Sequence, residues 1–315
     1  MCIMNQKNLG IIGIIIAVGI IILFTYQTSP EVEKQSKLDL LLDLAQTEFE
    51  KIQNSDQWIY FLDKWAYYPN SDSKYFYLYV DKNNIFVTPD GLFIVHSTKY
   101  IPIKEAKETF EEVGLFSEPQ NTVVIVPIFT ANAYGDPGFY HYFYEKCDEK
   151  CLTVSIQNRT FGDSTNGYTS SAGGVQVLKF LQYEMITDVD VDKNPIILKK
   201  YDKVIILHNE YVTKNEFDAI TNHPNVIYLY PNALYAEIET DYEKNTMTLK
   251  RGHNYPEKNI KNGFDWEFDN SSMESDLQCI EWKFYEIDNG WMLNCYPELS
   301  VLINSPEFLK KLKDL

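Results

Sequence analysis

Residues 202–238 read DKVIILHNEYVTKNEFDAITNHPNVIYLYPNALYAEI, and this stretch decides the fold class. An apolar run, 204–207, ends in the polar group His208, Asn209, Glu210, Tyr211. A helical segment follows. A second apolar run, 226–230, then ends in Pro231, Asn232 and Ala233. The pattern is strand, polar tip, helix, strand, polar tip. In open α/β sheets ligands bind outside the carboxyl ends of the strands, so the tips at His208–Glu210 and Asn232 are where chemistry is expected.

The same texture extends in both directions. Apolar, β-branched or short strand-like runs at 122–129, 152–156 and 185–189 precede the quoted stretch, and a helix is predicted over 173–183. Strands alternating with helices imply βαβ units. The expected class over 119–304 is therefore α/β, a mostly parallel sheet with flanking helices. Residues 26–118 form a small α+β segment. A helix-prone stretch at 31–54 comes first, then aromatic runs at 75–80, 85–87 and 92–96 separated by turn residues, which predict an antiparallel hairpin or meander. A helix is predicted over 103–115. Short strands and loops occupy 241–295, and 305–315 is a terminal amphipathic helix.

Residues 9–25, LGIIGIIIAVGIIILFT, carry no charge. As a helix they span roughly 25 Å, near the short end for a bilayer core. Lys7 precedes them and Glu31 and Glu33 follow. The positive-inside rule then leaves residues 1–8 in the cytosol and the rest of the chain extracytoplasmic. An uncleaved single-pass anchor is the expectation. A cleaved signal peptide is the rival, against which stand the length of the run and the lack of an A-x-A site.

The net charge of −17 excludes nucleic acid as a partner, because phosphate binding needs a basic face. Cys2 precedes the anchor, and Cys147, Cys151, Cys279 and Cys295 follow it. An even number of cysteines in an exported domain points to disulfides. Three pairings exist; Cys147–Cys151 and Cys279–Cys295 are favoured because each brackets a short, turn-rich segment. The spacings match zinc sites poorly. Asn158-Arg159-Thr160 and Asn270-Ser271-Ser272 are glycosylation sequons.

Several catalytic signatures are missing: there is no G-x-S-x-G elbow, no Walker A motif and no dinucleotide-binding glycine fingerprint. Ser170-Ser171-Ala172-Gly173-Gly174 opens a helix and reads as an N-cap with a tight turn. Asp188, Asp190, Asp192 and Asn194 begin like a calcium loop, but Lys193 and Lys199 stand where glycine and glutamate are required. A turn with solvated carboxylates is expected there. Strand alternation places His208 and Glu210 on one side, where imidazole and carboxylate serve acid–base or metal chemistry. The aromatics Tyr140, Tyr142, Phe143 and Tyr144 suit either a core or stacking on sugar rings.

A second Gly-rich strand exit, IFTANAYG over 128–135, is followed by Asp136, Pro137, Gly138, Phe139 and Tyr140. Ala133-Tyr134-Gly135, Thr187-Asp188-Val189-Asp190-Val191, His208-Asn209-Glu210-Tyr211 and Asn232-Ala233-Leu234-Tyr235 occur in an order that resembles the C-terminal catalytic domain of the N,N-dimethylformamidase large subunit. The resemblance covers about 122–238. It departs from the family at Gly135, Val212 and His223-Pro224. It implies a flavodoxin-like, class I amidotransferase-like fold and an iron ion held by tyrosine phenolates and a glutamate. By motif position Tyr134 and Glu210 are the implied ligands, with Tyr211 or Tyr100 as the further tyrosine and His208 orienting a water or moving its proton. Two functions are expected: a membrane-anchored surface protein that uses this fold to bind an envelope component such as a glycan, or a metal-dependent hydrolase of amide or related C–N bonds with a small amide substrate.

Overall fold

A computed structural model describes residues 30–55, 63–68, 73, 75–87, 93–95, 98–114, 121–157, 168–298 and 300–315. The predicted anchor at 9–25, Cys2 and Asn158 lie outside them. Among the described residues no helix is long and apolar enough to cross a membrane.

The chain begins with α1 (Pro30–Gln53), β1 (Trp65–Tyr67), β2 (Phe76–Asp81), β3 (Ile85–Val87), β4 (Phe93–Val95), β5 (Thr98–Pro102) and α2 (Lys107–Glu112). β1, β2 and β5 form one antiparallel sheet, and β3 pairs with β4. This segment is built onto the rest of the molecule. Gln176 donates to the Thr98 carbonyl (2.9 Å) and accepts from the Tyr100 N–H (3.2 Å). Phe76, Phe110 and Phe180 meet edge to face, with centroids 5.0–5.8 Å apart. Leu42, Tyr75, Phe76 and Phe110 belong to the same core as the central sheet.

The α/β part runs β6 (Thr122–Val126), α3 (Ile128–Ala133), α4 (Phe139–Phe143), β7 (Thr153–Ser155), α5 (Ala172–Phe180), β8 (Glu184–Thr187), α6 (Asp188–Lys193), β9 (Lys203–Ile206), β10 (Tyr211–Thr213), α7 (Lys214–Thr221) and β11 (Val226–Tyr228). Then come β12 (Ala236–Asp241), β13 (Thr246–Arg251), β14 (Phe284–Ile287), β15 (Gly290–Leu293), α8 (Val301–Asn304) and α9 (Pro306–Asp314). The central sheet has the order β14-β15-β11-β9-β6-β8. β15, β11, β9, β6 and β8 are parallel, and β14 lies antiparallel on one edge. Val124 sits between Met185 and Ile205, and Val226 between Val204 and Gly290.

Adjacent side chains on a strand point to opposite faces. Accordingly Val124, Ile205 and Ile227 enter one core, while Val123, Ile125, Val204, Ile206 and Val226 enter another. A sheet covered on both faces explains why these strands read as continuous apolar runs.

From β6 the chain moves outward to β8. From β8 it returns past β6 to β9 and continues to β11 and β15 on the other side. The strand order therefore reverses between β6 and β9, where crevices open at the carboxyl ends of such sheets.

Three expectations need correction. The run 152–156 does not join the parallel sheet. Its Thr153 and Ser155 are exposed around buried Val154, and β7 pairs antiparallel with β13 in a second sheet, β10-β12-β13-β7. The alternation of one-sided burial marks that role. The run 122–129 is strand only to Val126, because Pro127 has no N–H to continue the ladder and α3 begins at Ile128. The aspartates after β8 are not a solvated turn. Asp188 and Asp192 are buried. Asp188 accepts the Phe129 N–H at the start of α3 (2.8 Å). Asp192 accepts from Thr213 (2.6 Å), Asn215 (3.3 Å), Thr240 (2.9 Å) and Tyr242 (2.5 Å), tying α6 to α7 and the second sheet.

Beside them Glu216 is fully buried and neither carboxyl oxygen has a partner. Burial, and then the charges of Asp188 and Asp192, raise its pKa well above the ordinary carboxylate range. An acid whose pKa is raised by folding binds its proton more tightly in the folded state. Its contribution is present at low pH and is lost as pH rises above the unfolded value. The protein is expected to be less stable at pH 8 than at pH 5 on this account. Glu216→Gln should flatten that slope, raising stability at pH 8 by roughly 1–3 kcal/mol, read by urea denaturation at both pH values. An unchanged slope would contradict the assignment.

The disulfides are Cys147–Cys151 and Cys279–Cys295, with Cα separations of 6.1 and 5.3 Å. They fit an oxidising, extracytoplasmic compartment. Intact-mass measurement should show these four thiols released by reductant and none of the four alkylated before it. Replacing Cys279 and Cys295 with serine should cost about 2–4 kcal/mol.

Candidate functional site

Tyr134 follows the β6 exit, and Glu210 follows the β9 exit, on either side of the switch point. Between β6 and the second residue of interest, Tyr140, the backbone folds back tightly. A Cβ at Gly138 would sit 2.2 Å from the Ala133 carbonyl oxygen, so only glycine admits this approach. The Gly138 N–H donates to His141 Nδ1 (3.1 Å) and opens α4. α4 thus lays Tyr140 on Tyr134, with ring centroids 4.3 Å apart. Their hydroxyls are 2.6 Å apart, and the Tyr140 hydroxyl donates to Glu210 Oε1 at 3.1 Å. Glu210 is fully buried and its other oxygen, Oε2, has no partner.

His208 stands beside them, fully buried, its ring 6.4 Å from that of Tyr134. Nδ1 faces the Thr169 carbonyl oxygen at 2.5 Å, and Nε2 lies 3.3 Å from Glu274 Oε1 in an ion-pair contact. Nδ1 thus points its N–H at a carbonyl, while Nε2 is buried and forms no hydrogen bond. Burial opposes a charge on the ring, but Glu274 and Glu210 outweigh it and the imidazole pKa is raised. Glu274 comes from the long connection between β13 and β14. Its side chain is 36% exposed, and its second oxygen accepts from Asn232 Nδ2 (3.2 Å).

On the far side of Glu210, His253 lies 3.9 Å from Oε1, and its Nδ1 is 2.5 Å from the Tyr211 hydroxyl. Burial lowers the His253 pKa to about 4, so at neutral pH the ring is uncharged and shares one hydrogen bond with the phenol. Burial raises the carboxyl of Glu210 to about 7, with His208 pulling it back and Glu274 pushing it up. Burial, and next the charge on Glu210, push Tyr134, Tyr140 and Tyr211 well above the usual phenol range.

The structure thus brings together Tyr134, His208, Glu210 and Tyr211, all named by sequence. It adds Tyr140, Glu274 and His253, which sequence reasoning did not assign to the site. Tyr140 carried a signal, its place six residues beyond Tyr134 across Gly138. Glu274 and His253 lie in an irregular connection and carried none. Tyr100 does not join the group. It packs at the start of α5, where a Cβ on Gly173 would be 2.8 Å from its hydroxyl. Of the aromatics on and after α4, only Tyr144 is well exposed, at 60%. Asn270 is buried, with Nδ2 donating to the Leu293 carbonyl (3.3 Å) and Oδ1 accepting the Asn232 N–H (3.1 Å). A glycan needs that nitrogen in solvent, so the sequon at Asn270 is not an acceptor in this fold.

The Ser170–Gly174 turn is already filled by a carboxyl group of the chain's own, whose pKa burial raises to about 7. Glu298 accepts the N–H groups of Gly173 and Gly174 at the start of α5, and also the Tyr230 hydroxyl. An open groove of about 530 Å³ lies elsewhere, toward the amino ends of β9 and β11, between Ile196, Tyr201, Asn222 and His223. It shares no residue with the strand-tip group.

No family model matches this chain. No curated protein matches it either.

Removing the Glu298 carboxylate would strand two buried N–H groups and a phenol. Glu298→Ala is expected to cost about 2–4 kcal/mol, and Glu298→Gln less, since its amide oxygen still accepts one of them. Denaturation midpoints of the two variants check the ranking.

Proposed function

We propose that this chain is a metal-dependent hydrolase of amide or related C–N bonds, anchored at the outer face of a membrane by residues 9–25. One observation carries the reading: two phenol oxygens and one buried carboxylate, with a partnerless oxygen, converge at the sheet's switch point.

The donor set fits iron. Phenolate and carboxylate are hard anionic oxygens, the kind a ferric ion takes. Among the described residues no group of three His, Cys, Asp or Glu side chains is placed to hold a metal, so the tyrosines are indispensable to such a site. Burial and the charge on Glu210 oppose ionisation of Tyr134 and Tyr140. A multiply charged cation offsets that cost. Tyr134, Tyr140 and Glu210 would hold it, with Tyr211 behind them.

Two further observations support the reading. Counted by first appearance, the parallel strands run 2-1-3-4-5, the order of flavodoxin-like sheets. The motifs shared with the dimethylformamidase C-terminal domain fall on the β6, β8, β9 and β11 exits.

Bound there, iron supplies a Lewis acid that polarises an amide carbonyl and acidifies a water. The chain's own residues do the rest. The rings of Tyr134, Tyr230 and Tyr296 pack around His208, with centroids 5.3–6.4 Å from its own, and Tyr140 covers Tyr134, which keeps bulk water from the imidazole. His208, anchored through Nδ1 at the Thr169 carbonyl, would pass a proton from Nε2 to the departing nitrogen, with the Glu274 carboxylate beside Nε2.

The purified full-length protein is expected to carry stoichiometric iron and to show a visible phenolate-to-iron absorption band. Tyr134→Phe and Tyr140→Phe should each weaken or shift the band, and Glu210→Gln should release the metal. If no stoichiometric metal is found, and these variants leave every measured property unchanged, the hydrolase reading is wrong. A non-catalytic surface protein binding an envelope component then takes its place.

A further inference from the structure

We infer that the groove at the amino ends of β9 and β11 is a dimer interface, closed by the same face of a second copy of this chain in an isologous pair. The inference is independent of the chemistry at the strand tips.

The two walls of the groove differ in kind. One is a 3₁₀ turn, Pro195–Lys200, and the other is a face of α7. In a 3₁₀ helix, side chains three residues apart line up. Ile196 and Lys199 therefore form one ridge, and both border the groove of about 530 Å³. On the other wall Asn215, Asp218 and Asn222 recur at helical spacing and share one face.

The first wall offers an apolar knob and a cation. Ile196 is 68% exposed. Single exposed apolar side chains are ordinary, but Ile196 stands beside an open groove that Pro195, Leu198 and Ala219 also line. Lys199 is exposed and forms no ion pair among the described residues.

The second wall offers acceptors. Asn215 Nδ2 donates to Asp192 (3.3 Å) and Asn222 Nδ2 to the Asp218 carbonyl (2.7 Å), so the amide oxygen of each is left over. Asp218 gives Oδ1 to Lys214 and keeps Oδ2. Within one molecule the walls stand apart, and no ion pair joins Lys199 to Asp218 among the described residues. In an isologous pair residue i meets j of the other copy, and j meets i. A twofold axis through the groove turns the Ile196–Lys199 ridge of each copy onto the partner's α7 face. Each Ile196 then fills the partner's groove, and each Lys199 meets the partner's Asp218 and asparagine oxygens.

Net charge favours the same face. A chain of −17 repels its own copies. Across 193–224, however, the exposed charges are Lys193, Lys199, Lys200 and Lys214 against Asp202 and Asp218. Copies that meet here keep their acidic surfaces apart, and charges beyond roughly 8 Å are screened at physiological salt. The strand-tip group follows the opposite ends of β9 and β11, so this dimer leaves it uncovered.

The test is sedimentation velocity of the full-length protein in detergent micelles over a dilution series. A monomer–dimer equilibrium is expected. Ile196→Asp should weaken it at least ~30-fold, the loss of a central apolar anchor. Its thermal midpoint, read on the monomer, should match the wild type because Ile196 is exposed, which separates lost association from lost folding. Lys199→Asp should weaken dimerisation by ~10-fold, and adding Asp218→Lys should restore it, since the exchanged charges meet again across the axis. The inference is overturned if the protein is monomeric at every concentration, which leaves the groove to a partner of another sequence. It is overturned equally if the dimer survives Ile196→Asp undiminished, which puts the interface elsewhere, or if the charge exchange fails to restore it.

Discussion

A carboxylate with no exposed surface must be neutralised, and Glu210 meets that constraint at the centre of the sheet's carboxyl-terminal end. The surrounding structure answers it from every side. Tyr140 donates to one oxygen, and Tyr134 backs Tyr140. His208 lies beside it, anchored at the Thr169 carbonyl, and the nearby Glu274 carboxylate raises the imidazole pKa. His253 stays neutral in its hydrogen bond with Tyr211, so it offers Glu210 no counter-charge. What remains is one oxygen without a partner, in the crevice where the strand order reverses.

Other buried carboxylates in the same molecule show what ordinary satisfaction looks like. Asp192 accepts four hydrogen bonds from side chains. Asp188 accepts the Phe129 N–H as α3 begins, and Glu298 accepts two N–H groups and a phenol. These are acids used as structural acceptors, where the donors belong to the fold. Glu216 has no such donors, and its raised pKa places a proton on it instead. Glu210 differs from all four. It is the buried acid flanked by an imidazole and two phenols, at the place where the strand order reverses. That combination of position and chemistry separates a site from a structural acid.

Much of the fold could be read from residues 202–238 because sheets buried on both faces leave an unmistakable apolar signature. The strand exits, and with them Tyr134, His208 and Glu210, followed from it. Where burial was one-sided or polar, the reading failed. β7 looked like another parallel strand because Leu152, Val154 and Ile156 are apolar, although exposed Thr153 and Ser155 alternate with them. The Asp188–Asp192 turn looked solvated because carboxylates usually are, and nothing local reveals donors contributed by Phe129, Thr213, Thr240 and Tyr242. Glu274 and His253 were invisible for the same reason. They reach the site through an irregular connection that has no periodicity to read.

The two disulfides bear on how those distant residues stay in place. Cys147–Cys151 closes the turn just after α4, the short helix that carries Tyr140. Cys279–Cys295 ties the connection that carries Glu274 to the exit of β15. His208 and Glu210 need no such staple, because they follow directly from a strand locked in the sheet, and Tyr134 caps α3, which opens one residue past β6. Tyr140 and Glu274 sit on short or irregular segments that bury little apolar surface of their own. Cross-linking such segments lowers the entropy lost when they are ordered. The cysteines therefore fall where the sheet's own rigidity runs out. An oxidising compartment is accordingly a condition for assembling the site as well as for stabilising the fold.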